Sequence, residues 1–160
     1  HTVIMTRDGV PVMLDSATGE VMHPEVGPLV EVERLYISPS RLAARLCSAQ
    51  REPLVVLDAG LGAGSNAIAA WRTARDSRER TRQLELISVD RTVAALELAL
   101  QPDHAAAFGF DDGQSGLELE FLQAAAGVVP QVASEGAFGR VGCDVGSAAH
   151  AAEKAAREST

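Results

Sequence analysis

An acid followed by three alternate glycines stands in Leu54-Val55-Val56-Leu57-Asp58-Ala59-Gly60-Leu61-Gly62-Ala63-Gly64-Ser65-Asn66-Ala67. Glycines let a ligand lie against the backbone without meeting a Cβ, and a carboxylate at the end of an apolar run can receive a ligand's ammonium group. The run from Leu54 to Leu57, preceded by Pro53 and closed by the glycines, reads as a buried parallel strand that turns sharply into a helix. Dinucleotide sites use G-x-G-x-x-G, whereas the spacing here is G-x-G-x-G. A phosphate-binding P-loop is excluded because no Gly-Lys-Ser/Thr follows.

The Asp58-x-Gly60-x-Gly62-x-Gly64 arrangement resembles motif I of the Rossmann-like S-adenosylmethionine-dependent methyltransferases. That resemblance implies that the glycines approach the methionine part of the ligand and that Asp58 receives its ammonium. A second apolar strand, Leu84-Glu85-Leu86-Ile87-Ser88-Val89-Asp90, ends in another acid after one intervening helix. An acid at that place is positioned to accept hydrogen bonds from a ribose diol. The alternative is that Asp90 caps the helix beginning near Thr92.

The elements that must hold these residues belong to a chain of 160 residues, enough for one domain with a real core and short for a complete seven-stranded methyltransferase sheet. A net charge of −8 supplies no global basic field for nucleic acid or an anionic membrane. The two cysteines, Cys47 and Cys143, give neither a disulfide framework nor a zinc spacing, which suits a reducing, cytoplasmic setting. His1, His23, His104 and His150 are scattered without ligand spacing, so no metal site is expected. No apolar run approaches the roughly 20 residues of a membrane span, and the first residues lack a signal peptide's basic and apolar regions. His1 in place of methionine suggests a start inside a longer chain.

Residues 2–23 hold three short β-rich runs separated by Asp8-Gly9 and Thr18-Gly19 turn signals, an antiparallel meander or hairpin. Pro24 to Pro28 is a rigid connector, after which Leu29, Val32, Leu35 and Tyr36 recur at helical spacing. Ser38 reads as the cap of a further helix, with Pro39 at its first position and Leu42, Ala43, Leu46 and Cys47 on its buried face. Residues 1–37 thus form an N-terminal extension of β-hairpin and helix, and residues 38–160 form the ligand-binding Rossmann-like domain.

At this point the pattern becomes more specific. His23-Pro24-Glu25-Val26-Gly27-Pro28-Leu29-Val30-Glu31-Val32-Glu33-Arg34-Leu35-Tyr36, then Ser40-Arg41-Leu42-Ala43, then Gly60-Leu61-Gly62-Ala63-Gly64-Ser65-Asn66-Ala67 together resemble the MnmC-like methyltransferases. The likeness covers residues 8 to 110 well and the remainder poorly, and the asparagine after the glycine loop, Asn66, is its most distinctive mark. The resemblance implies methylation of the aminomethyl group on a wobble uridine of tRNA, with S-adenosylmethionine as the methyl donor and tRNA as the partner.

The helix after the loop runs from near Ser65 toward Arg80, with Ile68, Ala69 and Trp71 as sheet-packing residues rather than base-stacking ones. Arg72, Arg75, Arg78, Arg80 and Arg82, mixed with Asp76 and Glu79, read as a solvated mixed-charge face, the alternative being contacts to tRNA phosphates. Val93, Leu96 and Leu100 mark a second crossover helix ended by Pro102, and residues 103–110 a helical turn and loop. Leu117 to Gln123 alternates like a strand. In methyltransferases such a strand is followed by an acid that meets the adenine amino group, and alanines at 124–126 stand there instead. Asp144, in Phe138-Gly139-Arg140-Val141-Gly142-Cys143-Asp144, aligns loosely with the acid that the resemblance places near the reacting amine, with a helix-capping role before Ser147 as the alternative. An alanine-rich helix follows from Ala148.

The expectation is an α/β Rossmann-like fold with a partial parallel sheet, incomplete at the C-terminus. Its open sheet edge would invite a homodimer. The cofactor is expected on Asp58, Gly60, Gly62, Gly64, Asn66 and Asp90, with Asp144 as the catalytic acid. Three other readings stand beside it: methylation of a small molecule or protein, an NAD-dependent oxidoreductase disfavoured by the glycine spacing, and a ligand-binding relative without catalysis.

Overall fold

The computed structural model describes residues 1–23 and 26–110, together with strands at 131–133 and 136–141. Strands β1 (Thr2–Met5), β2 (Pro11–Asp15) and β3 (Glu20–Met22) form an antiparallel meander in sequence order. Its turns close locally. The backbone N–H of Gly19 donates to the Asp15 carbonyl at 2.7 Å, and the Asp15 carboxylate accepts from Ala17 N–H at 2.9 Å. Val12 and Met13 on β2 are fully buried, and Met13 packs into the same cluster as Ile68, Trp71 and Leu96. The meander is therefore fastened to the body of the protein through Met13 on β2, with Val3 on β1 and Met22 on β3 packed against the same cluster, and the end of β3 lies beside the glycine loop.

A continuous helical path follows, comprising α1 (Pro28–Val32), a π-wound turn (Glu33–Ile37) and α2 (Ser38–Ser40). The separate helix expected to start at a Ser38 cap is corrected here: Ser38 lies inside the path with helical angles of φ −62° and ψ −49°. Pro39 explains the wide turn before it, because its ring crowds the carbonyl four residues back and it has no N–H to offer. The break comes at Arg41, left-handed at φ 53°, and α3 (Leu42–Leu46) follows.

Strand β4 (Leu54–Ala59), helix α4 (Ser65–Asp76) and strand β5 (Leu84–Asp90) form a parallel β-α-β unit, with Leu54 opposite Leu84 and Asp58 opposite Ser88. Helix α5 (Ala94–Ala99) and a 3₁₀ turn (Ala105–Phe108) follow, then β6 (Gln131–Ala133) and β7 (Gly136–Val141). The second sheet has the order β4-β5-β7-β6. The fold is α/β, with one parallel pair, β4 and β5, at one side of the sheet. β7 departs from the expected parallel arrangement: it runs antiparallel to β5, with Leu86 opposite Val141 and Asp90 opposite Ala137. Its glycine-rich sequence carries no apolar alternation to fix a direction, and the two-residue link from β6 makes a hairpin whose second strand meets the free side of β5.

Helix α4 divides the core. Ile68 and Trp71 face the cluster shared with Met13, Leu96 and Phe108, while Ala67, Ala70 and Ala74 face Leu54, Leu84 and Leu86 on the sheet and Leu42 and Leu46 on α3. Alanines at this spacing let the helix approach the sheet closely, which holds its first turn firmly against the end of β4. β4 lies at one edge of the sheet, and its Val55 and Leu57 are 51% and 67% exposed.

Candidate functional site

The chain leaves β4 at Ala59 and is still tied to β5 by one further bond, Gly60 N–H to the Val89 carbonyl at 2.8 Å. Gly60, Gly62 and Gly64 then take positive φ angles of 87°, 52° and 83° before α4 begins at Ser65. A Cβ at Gly60 would meet nothing within 4 Å, so the backbone there is bare toward open space, whereas one at Gly62 would lie 3.3 Å from the Met22 sulfur. Positive φ favours glycine at both places, and the loop also fits closely under the end of β3.

Asp58 is 7% exposed. Its Oδ2 accepts from Ser88 Oγ at 2.9 Å and its Oδ1 accepts from Asn66 Nδ2 at 3.3 Å. Burial pushes the Asp58 carboxyl up from its ordinary value, the nearby Asp90 charge adds to that, and the bonds from Ser88 and Asn66 oppose it. Both oxygens of Asp58 are therefore engaged within the protein, and Asn66 stands between Asp58 and the glycine-loop cavity, lining the spaces on both sides. Asp90 holds the loop as well: its Oδ2 accepts from Gly62 N–H at 2.8 Å and its Oδ1 from Arg91 N–H at 2.6 Å. Thr92 Oγ1, rather than Asp90, accepts from the Ala94 N–H at the start of the next helix, at 3.2 Å.

A cavity of about 370 Å³ lies over the loop. Gly60, Gly62, Ser65, Asn66 and Asp90 line it from the β-α-β unit, and Glu20, Met22, His23, Glu31 and Tyr36 line it from the N-terminal extension. Three carboxylates and no lysine or arginine are among its lining residues. Ser65 Oγ and Asn66 Oδ1 are buried without a hydrogen-bond partner, as are His23 Nδ1 and Glu31 Oε2. Buried polar atoms left unsatisfied cost roughly 1–3 kcal/mol each, and these four stand behind the cavity wall rather than on its surface.

Among the candidates from sequence, the structure brings Asp58, Gly60, Gly62, Gly64, Asn66 and Asp90 together. Asp144, the alanines at 124–126 and the strand expected from Leu117 lie outside the described residues. Ser88, Glu31 and His23 were missed. Ser88 had a signal, being the one polar residue between Ile87 and Val89 in an apolar strand; Glu31 and His23 are joined to the loop only by tertiary packing. The arginines serve the fold: Arg72 donates to the Gly109 carbonyl, Arg80 to the Ala74 carbonyl, and Arg82 to Gln50, Glu52 and Pro53. Arg75 pairs with Asp76 and lies 5.2 Å over Trp71, which is itself buried in the core. No group of three or more metal-binding side chains occurs among the described residues, and no helix among them is long and apolar enough to cross a membrane.

No family model matches this chain. Among curated proteins it is similar to the tRNA 5-methylaminomethyl-2-thiouridine biosynthesis bifunctional protein MnmC of several bacteria. Identity is 32% over 84 residues with that of Methylibium petroleiphilum, covering 52% of this chain and 12% of the relative. It is 34% over 85 residues with that of Thiobacillus denitrificans, covering 53% and 13%. It is 34% over 86 residues with that of Aromatoleum aromaticum, covering 54% and 13%. The matched stretch is thus about an eighth of each relative's length. Among solved structures, MnmC2 from Aquifex aeolicus is similar with a TM-score of 0.43 and 21% identity, covering 52% of this chain and 26% of that one. Over about half of its length, this chain is similar to these MnmC proteins.

Proposed function

We propose that the chain binds S-adenosylmethionine over its glycine loop and is an S-adenosylmethionine-dependent methyltransferase that N-methylates the aminomethyl group of a wobble uridine in tRNA. The observation that carries the cofactor reading is the acidic lining of the loop cavity. Glu20, Glu31 and Asp90 surround it without a lysine or arginine, which suits a ligand bearing an ammonium and a sulfonium and opposes a dianionic pyrophosphate.

The residues present fit such a ligand. Ser65 and Asn66 line the cavity at the start of α4, and bare backbone at Gly60 leaves room for close approach. Asp58 acts through Asn66, fixing the amide by accepting from Nδ2. Asp90 holds Gly62 in place and keeps lone pairs for a ribose diol. When bound, the cofactor supplies an electrophilic methyl group; the protein's part is to hold the acceptor amine in line with it and to keep water out. The place of tRNA as acceptor rests on the names of the relatives. A small-molecule or protein amine is the second reading, favoured by the net charge of −8 and by the engagement of the arginines within the fold.

A ligand panel read by thermal shift tests the cofactor class. S-adenosylhomocysteine should raise the midpoint, and NAD and FAD should leave it unchanged; a rise with either dinucleotide and none with S-adenosylhomocysteine would overturn the reading. Transfer of a labelled methyl group to unmodified or partly modified tRNA, against a pool of small amines, separates the two acceptors.

A further inference from the structure

The side of the β4–β5 pair that faces α4 changes from apolar to polar at one rung. Leu54, Leu84 and Leu86 belong to the core cluster beneath α4, and two residues further along each strand Asp58 and Ser88 stand directly opposite each other, 7% and 3% exposed. A hydroxyl and a carboxyl cost more to bury there than an apolar pair would. The single hydroxyl proton of Ser88 goes to Asp58 Oδ2 at 2.9 Å, and Asp58 Oδ1 accepts from Asn66 Nδ2 at 3.3 Å. Two neutral donors thus hold this carboxylate, and among the described residues no cation is bonded to it. The charged and titratable groups around it are Asp90 on β5, Arg45 of α3 and Tyr36 of the π-wound turn on the cavity of about 520 Å³ that Asp58 itself lines, and Glu20, His23 and Glu31 across the loop cavity beyond Asn66. Asn66, the second residue of α4, lines both cavities.

We propose that Ser88 is a positioning residue of the ligand site: its hydroxyl keeps the Asp58 carboxyl fixed and charged, and Asp58 in turn holds Asn66 in the wall between the two cavities. This rests on the ligand reading above. Ser88 lines neither cavity and acts only through the two hydrogen bonds. Without its donor, Asp58 Oδ2 is part of a buried charge with nothing to answer it, and taking up a proton is the cheapest relief. A protonated Asp58 no longer makes a charge-assisted bond to Asn66 Nδ2, so Asn66 is held more weakly, and a cationic ligand loses the attraction of the carboxylate behind it. Burial already pushes the Asp58 carboxyl up, and of the two bonds that pull it back, that from Ser88 is the stronger influence and that from Asn66 the weaker. Ligand binding favours the carboxylate, so affinity falls as pH drops through the raised value. Loss of the Ser88 donor raises that value further and brings the fall to a higher pH.

Calorimetric titration with S-adenosylhomocysteine from about pH 8 to about pH 5.5 tests this in the wild type, Ser88→Ala, Ser88→Cys and Ser88→Thr, with Asp58→Asn marking the part of the profile that belongs to Asp58 rather than to His23 or another carboxylate. Cysteine is close to serine in size and a weak donor, and threonine restores the hydroxyl at a strand position that suits a branched side chain. Ser88→Ala and Ser88→Cys should weaken binding about threefold to tenfold at neutral pH, with a deficit that widens toward the acidic end, while Ser88→Thr stays within about twofold of the wild type throughout. A deficit of the same size at every pH, or one that Ser88→Thr shares, would make Ser88 a packing residue and overturn the proposal. The cysteine variant decides the matter if the alanine variant does not fold. A second measurement needs no ligand: the Asn66 side-chain amide resonances in nitrogen-15 NMR should move with pH, with a higher midpoint in Ser88→Cys than in the wild type. Resonances that ignore pH, or equal midpoints, would also overturn it. Absence of S-adenosylhomocysteine binding by the wild type would remove the cofactor reading, and the Asn66 titration would still judge Ser88.

Discussion

The Asp90 carboxylate accepts a hydrogen bond from the Gly62 backbone N–H at 2.8 Å, tying the end of β5 to the middle of the glycine loop across 28 residues of sequence. The loop is therefore held in shape by an acid that also lines the ligand cavity, and the two tasks can be separated by substitution. Asp90→Asn keeps an oxygen for Gly62 and should leave urea stability nearly unchanged, while S-adenosylhomocysteine binding weakens about tenfold through loss of the charged acceptor. Asp90→Ala orphans the N–H and should cost roughly 1–2 kcal/mol of stability as well. Equal stability in the two variants would contradict the tie.

Asp58 carries a burial cost that its partners do not cancel. Its carboxyl is raised in the folded protein, so the folded state holds a proton that the unfolded state has already released. No cost arises below the ordinary carboxylate value; it grows as pH rises from that value toward the raised one and is full above it. Asp58→Asn should thus be more stable than the wild type at pH 7, by about 2–4 °C in midpoint for each 1 kcal/mol. The difference should shrink on acidification to about pH 4, where the unperturbed carboxylate titrates. A gap that widens on acidification would refute the assignment.

Gly62 and Gly60 should respond differently to alanine. Both would be strained by about 1–2 kcal/mol from their positive φ angles. Gly62→Ala adds a 3.3 Å contact with the Met22 sulfur, so a double-mutant cycle with Met22→Ala should show coupling of roughly 0.5–1 kcal/mol. Gly60→Ala meets no neighbour and should show no such coupling, but should lose S-adenosylhomocysteine binding because its methyl group occupies open space beside the loop. Unchanged binding in Gly60→Ala would place the ligand elsewhere.

Arg82 fastens the segment leading into β4. Its Nε donates to the Glu52 carbonyl at 2.7 Å, and its terminal nitrogens donate to Gln50 Oε1 at 2.8 Å and the Pro53 carbonyl at 3.1 Å. Arg82→Ala should cost roughly 1–3 kcal/mol in chemical denaturation. It should leave the salt dependence of any tRNA binding unchanged, whereas a phosphate contact would lower that slope by about 1. A reduced slope with intact stability would return this arginine to a nucleic-acid role.

The β4-loop-α4-β5 unit was legible because its signals are local. Apolar runs of strand length, glycines at positive φ and alanines at helical spacing each declare themselves within a few residues. Asp58 was legible as a residue and not in its bonding, since its partner Ser88 is set by the register between two strands. The π-wound turn before Pro39 was hidden because the proline reads equally as a helix start and as a disturbance to the helix preceding it. The direction of β7 was hidden by a glycine-rich strand without alternation. The meeting of His23 with Glu31 depends on how the meander packs through Met13, which no spacing encodes.

Calorimetric titration of the 160-residue chain with S-adenosylhomocysteine, beside an Asp58→Ala variant, tests the central claim most directly. The account predicts micromolar binding, about −8 kcal/mol, that weakens strongly when Asp58 no longer orients Asn66. A wild-type chain that folds and gives no heat with this ligand, or a variant that binds it equally well, would contradict the account.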